Sequence, residues 1–253
     1  MESYATAQQV FAAGLIFARL GAVIMLLPGL GETFIPARIR LSFALALSFM
    51  LFPLVLGSAP ALPASAGDLA LAVIREVLIG VLIGGILRLF MTSLATAGEI
   101  VSLQTTLSFS QTANPMQAQP STTLGTFLGM IGIVLIFATN LDHLFIAGIV
   151  RSFDLFPFGR DVPIADGAQL AIQTIGGSFA LGVQLAAPVI VFSLVINIAI
   201  GLVGRVMPQF QVFFAATPLI LLLGMSIFAM SLGVIGMVWV ERYRELAGTF
   251  AGQ

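Results

Sequence analysis

Residues able to do chemistry are few in this chain and stand far apart. His143 is the only histidine, so no multi-histidine metal centre can form. Its neighbour Asp142 would point about 100° away on a helix, and a structural role is expected for the pair. Zero cysteines exclude disulfides, thiolate metal sites and cysteine nucleophiles. No Gly-rich phosphate loop follows a strand pattern, and no HExxH occurs. Glu76 and Glu99 are the carboxylates an ion-coupled transporter would want within the membrane, with Arg75 or Arg88 able to neutralise Glu76. Together with Arg19, these five are the candidates for buried charge. No catalytic, cofactor-binding or metal-binding residue is expected, and the chain reads as not an enzyme.

One polar break stands out: Gly204-Arg205-Val206-Met207-Pro208-Gln209-Phe210-Gln211-Val212-Phe213-Phe214. It joins long apolar segments, and residues 100–141, 167–204 and 206–240 contain no Asp, Glu, Lys or Arg. A short break with one fixed cation marks a hairpin tip at a boundary. The second unusual region is 102–123, rich in Ser, Thr, Gln and Asn, interrupted by Pro115 and Pro120, and uncharged. It reads either as a plain surface loop or as a loop tucked into a pore. In a pore a charge would cost desolvation energy, whereas polar side chains satisfy one another. Met116 would add a deformable filler.

The elements that must carry these residues are membrane helices. The chain is 59% hydrophobic and only 8% charged, against about a quarter charged in soluble domains, and its mean hydropathy is +1.10. A net charge of −1 gives no sign of a nucleic-acid partner. An all-α integral membrane protein of about six long, partly broken helices follows, since a span needs roughly 20 apolar residues. They are expected over 7–27, 39–56, 68–104, 123–137, 166–203 and 212–240, with an apolar piece from Asp142-His143 to Val150. The first reads as a retained helix, because no basic n-region precedes it.

Small residues recur at helical spacing in Gly14, Ala18 and Ala22, in Gly80 and Gly84, and in Gly125 and Gly129. Such stripes let helix backbones approach closely. Arg19, lying in the first, is either snorkelling or paired inside an assembly, or a lumen or subunit contact. The helix over 68–104, opened by Asp68 as a cap, would measure about 55 Å against a bilayer core of about 30 Å. It therefore breaks at Gly84-Gly85 or packs largely on protein outside the hydrocarbon. Asp166 and Gln169 have capping-box spacing, and Pro188 predicts a kink. Gln169, Gln173 and Gln184 share a side, with Asn197 deeper, as interhelical hydrogen-bond donors or conduit lining. Trp239 and Tyr243 read as membrane-interface anchors. The arginine count leaves orientation undecided, with Arg38, Arg40 and Arg205 on one side and Arg151, Arg160, Arg242 and Arg244 on the other.

With these residues in view, the chain resembles the FliR family, the integral-membrane export-gate component of flagellar type III secretion. The strongest block is Arg205-Val206-Met207-Pro208-Gln209 followed by Val212-Phe213-Phe214 and Pro218. A second is Ala97-Gly98-Glu99 with Gln104, Ser108-Phe109 and Pro115. A third is Asn140 to His143 with Ser152-Phe153, Pro157 and Gly159, and Arg19, Pro28, Pro36 and Arg38 fall in the family's order. Thr106 stands where the family usually has Gly and Asn114 where it has Asp. Asn140-Leu141-Asp142 replaces an Asn-Gly-His-like run.

The resemblance implies a pore-forming core built with FliP-like and FliQ-like subunits, joined by FlhB-like and FlhA-like proteins. That core would pass unfolded flagellar substrates at the inner membrane of the basal body. Residues 1–165 would be FliP-like and 166–253 a FliQ-like hairpin. Phe109, Gln111, Asn114, Pro115, Met116, Gln117 and Gln119 would form a plug. Arg205, Met207, Pro208, Gln209 and Phe213 would form an entrance hairpin beside the FlhB-like partner. Virulence injectisomes use a homologous subunit, and the Pro208-Gln209 block looks closer to the flagellar branch. A stand-alone small-solute transporter or channel is the reading from a different class.

Overall fold

Capping groups and proline set where each helix begins. In the computed structural model, which describes residues 6–58, 60–108, 123–207 and 212–252, helix α1 (Ala7–Leu26) opens on a capping box. Thr6 Oγ1 accepts from the Gln9 backbone N–H, and Gln9 Oε1 accepts from the Thr6 N–H, so two N-terminal donors are satisfied reciprocally. The chain then turns through Gly29, whose φ of 88° only glycine adopts freely. Helix α2 (Ala37–Val55) follows Pro36 and gives way to a short 3₁₀ turn, Leu56–Ser58.

Helix α3 (Ala66–Gln104) has 39 residues. Ser65, rather than Asp68, caps it: Ser65 Oγ accepts from the Asp68 N–H and donates to the Asp68 carboxylate. Asp68 instead lies in the first turn, where its charge opposes the positive end of the helix dipole. The helix runs unbroken through Gly84-Gly85 for about 58 Å. Of the two expected outcomes, the break is therefore absent.

Helices α4 (Thr123–Ala138) and α5 (Leu141–Leu155) meet at a bend of 75°. Asn140 forms the corner with φ 56°, a conformation asparagine tolerates better than most residues. Helix α6 (Ile164–Val206) starts directly after Pro163, two residues before the expected cap, so Asp166 sits in its first turn; it continues through Pro188. Helix α7 (Val212–Ala251) extends well past Val240. Among the described residues there are seven α-helices and no strand. Five helices are long and apolar enough to cross a membrane, or six spans if α4 and α5 count as one.

The chain forms two compact units, one of Met1–Phe90, Ile136–Ile175 and Tyr243–Gln253, the other of Met91–Leu135 and Gly176–Arg242. In the first, α1 and α3 touch backbone to backbone: a Cβ on Gly80 would lie 2.5 Å from the Arg19 carbonyl oxygen and 2.7 Å from Ala22 Cβ. One on Gly84 would lie 2.9 Å from the Val23 carbonyl oxygen. Tyr243 donates to the Leu87 carbonyl (2.9 Å) and stacks on Phe90 with centroids 5.0 Å apart. In the second unit, α3 meets α4 at Gly98, where a Cβ would lie 2.5 Å from the Gly125 nitrogen. Trp239 donates its indole N–H to Ser93 Oγ there (3.1 Å).

Trp239 and Tyr243 are thus not anchors at the lipid boundary, because both are fully buried. Buried Tyr and Trp find partners for their polar atoms, and these two have done so inside the protein. Around Gly14 and Gly129 nothing lies within 4 Å of a Cβ position. Gly14 is exposed, while Gly129 and Ala18 are half-buried.

Candidate functional site

Arg19 organises the first unit. Its Nε donates to Glu76 Oε2 (2.6 Å), Nη1 to the Ser152 carbonyl (2.7 Å) and Nη2 to the Phe156 carbonyl (2.8 Å). The guanidinium lies 4.3 Å from the Phe153 ring centroid and 5.4 Å from that of Phe158. Both partners are out of solvent, with side-chain exposures of 0% and 4%. The planar fork satisfies a carboxylate and two carbonyls at the end of α5 at once, a geometry lysine cannot supply. At the surface, Arg151 donates from Nη1 to the Ala251 and Gly252 carbonyls at the end of α7.

Neither arginine expected to neutralise Glu76 does so. Arg75 pairs with Asp161 (2.8 Å), and Arg88 pairs with Glu32 (3.4 Å). Arg75 is the sequence neighbour of Glu76 and points to another face. Arg88 stands about 18 Å further along the helix. Both are only half-buried, as is Glu99. Asp142 Oδ1 comes within 3.5 Å of His143 Nδ1, an ion pair only when the exposed imidazole is protonated. Among the described residues no three His, Asp or Glu side chains gather as a metal set.

Among the described residues, the second unit buries polar side chains but no charged one. Ser193 donates to Gln104 Oε1 (2.6 Å) and accepts from Asn197 Nδ2 (3.1 Å), joining the last residue of α3 to α6. At the same helix end, Thr105 is fully buried and donates its hydroxyl to the Val101 carbonyl (2.8 Å). Thr106 takes φ 62°, and the Ser108 N–H returns to the Ser102 carbonyl (3.2 Å). The expected plug residues, Phe109, Gln111, Asn114, Pro115, Met116, Gln117 and Gln119, lie outside the described residues.

At the hairpin, Arg205 sits in the last turn of α6, where its charge complements the negative helix end. Val206 and Met207 are exposed at 80% and 55%. Pro208 and Gln209 lie outside the described residues, and Phe213 falls in the first turn of α7 with its side chain likewise outside. Gln169, Gln173 and Gln184 are all exposed on α6. Three features escaped sequence reasoning: the Arg19–Glu76 pair, the Ser193–Gln104 bond and the Trp239–Ser93 bond, while Asn197, expected as an interhelical donor or conduit lining, donates to Ser193 within its own helix. The only signal for the first was that Arg19 is the one charge in α1.

Long apolar helices, buried charges that are paired, and a paucity of ionisable groups define a multi-pass helical membrane protein. Residues 10–246 match the family model described as "Bacterial export proteins, family 1". The flagellar biosynthetic protein FliR of Caulobacter vibrioides is 59% identical over 250 residues, 99% of this chain and 100% of the relative. That of Escherichia coli K12 is 31% identical over 240 residues (92% and 88%), and that of Aquifex aeolicus 29% over 236 residues (93% and 91%). The chain belongs to the FliR family of flagellar biosynthetic proteins, a component of the flagellar export apparatus.

Proposed function

We propose that this chain is a pore-forming core subunit of the flagellar export gate, passing unfolded flagellar substrates across the inner membrane at the basal body. The observation that carries this is α3. It is continuous for about 58 Å and holds Arg75, Glu76, Arg88 and Glu99, yet a bilayer core is about 30 Å thick. Much of it must therefore pack on protein or face water. The outer faces of the other helices remain apolar, with Met230 84%, Met50 73% and Leu54 73% exposed. Surfaces of that kind mark contact with lipid or with other subunits.

FliP-like and FliQ-like subunits are the partners this reading assigns, with FlhB-like and FlhA-like proteins joining them. Residues 1–165 correspond to a FliP-like part and 166–253 to a FliQ-like hairpin, a division of kinship rather than of compact units. The chain itself does no covalent chemistry, and energy comes from its partners and the proton motive force. Residues 109–119 close the conduit at rest, and the Arg205–Met207–Pro208–Gln209–Phe213 tip lies at its cytoplasmic entrance. A strain lacking this gene should export no flagellar substrate and recover export on complementation. Export that persists in its absence would sink the proposal. Removing 109–119 should leave the assembled gate leaky to small solutes.

A further inference from the structure

One groove on the first unit is apolar along its length and has charges at one end. Leu78, Leu82 and Leu89 line it from α3, and Ile164, Ala168 and Ala171 from α6, each set at helical spacing. The two helices meet where Leu82 lies against Gly167, which has no room for a Cβ. Gly85 leaves space beside that contact, since nothing among the described residues lies within 4 Å of a Cβ placed there. The groove holds about 360 Å³. Spread over about 17 Å of helix from Leu78 to Leu89, that volume is a cross-section of about 21 Å². A helix about 10 Å across needs about 80 Å², so a second helix cannot enter, whereas one extended hydrocarbon chain can. The length is close to one leaflet, half of a bilayer core of about 30 Å. Arg75, one turn before Leu78, pairs at that end with Asp161 (2.8 Å), and Val162 lines the groove. Arg160, next to Asp161, is exposed and makes no ion pair among the described residues.

We propose that this groove is a phospholipid site, with one acyl chain lying between α3 and α6 and the lipid phosphate at the Arg160 guanidinium. An empty groove in hydrocarbon leaves its lining without partner atoms, and a chain supplies them. The phosphate gives Arg160 an anion, and the Arg75–Asp161 pair ties the loop that carries Arg160 to α3. The site is independent of the part this chain plays in export.

The test dopes native membrane vesicles with a phosphatidylcholine that carries a diazirine in one acyl chain. After irradiation, peptides spanning 78–89 and 162–171 should be labelled more densely than the face around Met230, which is 84% exposed and meets only passing lipid. G85L fills the groove from an open position and should bring its labelling down to the Met230 level, and A168L should act alike. R160A should weaken groove labelling about five-fold, the loss that follows from removing one arginine beside an anionic group at the membrane surface. R160K keeps the cation and should label like the parent. Equal groove labelling in the parent, G85L and A168L overturns the site. So does a parent groove that stays unlabelled while G85L and A168L lower the yield of the assembled complex, a result that assigns the groove to a side chain of another subunit. Unchanged labelling in R160A overturns the headgroup contact.

Discussion

The two compact units differ in that one of them buries an ion pair. Around Arg19 the first unit encloses a full ion pair, answers every guanidinium nitrogen and sets two phenylalanine rings beside the cation. In the second unit the buried polar residues, among those described, are neutral, and they include Ser193, which bridges Gln104 and Asn197, and Ser93, which accepts from Trp239. The contrast separates what must stay assembled from what can give. Breaking a buried ion pair strands a charge, at about 3–5 kcal/mol, whereas losing one neutral hydrogen bond costs about 1 kcal/mol.

The largest effect is therefore expected at the charged site. R19A or E76A alone should destabilise the protein by about 3–5 kcal/mol, read as lost accumulation in the membrane and a lower unfolding temperature. R19M combined with E76M should recover much of that loss, since well-packed apolar replacement of a buried pair is often neutral. A double variant no better than either single one would mean that the carbonyl contacts to Ser152 and Phe156, not the ion pair, matter most.

Glycine contacts come next and test both units on equal terms. G80A and G98A place a methyl against backbone in the first and second unit respectively, and overpacking of this kind costs about 1–3 kcal/mol. G14A and G129A meet nothing within 4 Å and should be neutral or gain up to about 1 kcal/mol of helix propensity. Thermal unfolding of the four variants side by side would show whether close approach, rather than the presence of a glycine at helical spacing, sets the effect.

These glycines also mark how far the sequence could be read. Small residues at i and i+4 announced helix packing at Gly80 and Gly84, and the same spacing at Gly125 and Gly129 included one position that touches nothing. Spacing identifies a stripe but not which neighbour faces it. The all-helical membrane architecture was legible because long charge-free runs admit few alternatives. The length of α7 was not: Glu241, Arg242, Arg244 and Glu245 lie beyond the span expected over 212–240. They hide the period of Trp239, Tyr243, Ala247 and Phe250, all of them buried. Arg19 and Glu76 are 57 residues apart, and nothing local to either names the other.

Smaller effects are expected at one buried neutral bond in each unit. W239F should lose the bond to Ser93 and Y243F the bond to Leu87, each at about 1 kcal/mol. A loss several-fold larger in either would show that buried neutral bonds here are not the weak ties described. The smallest expected change is a gain: T106G relieves the positive φ and should stabilise the end of α3 by about 1 kcal/mol, seen as slower hydrogen exchange at the Ser108 amide.

The function rests most on whether the exposed apolar faces are covered by other subunits. The direct measurement is the mass and composition of the particle that an affinity-tagged chain brings out of native membranes in mild detergent. The account predicts a complex several-fold heavier than the 26.6 kDa chain, with small helical membrane subunits in fixed ratio. A lone 26.6 kDa chain recovered from cells that are exporting flagellar substrates would contradict it.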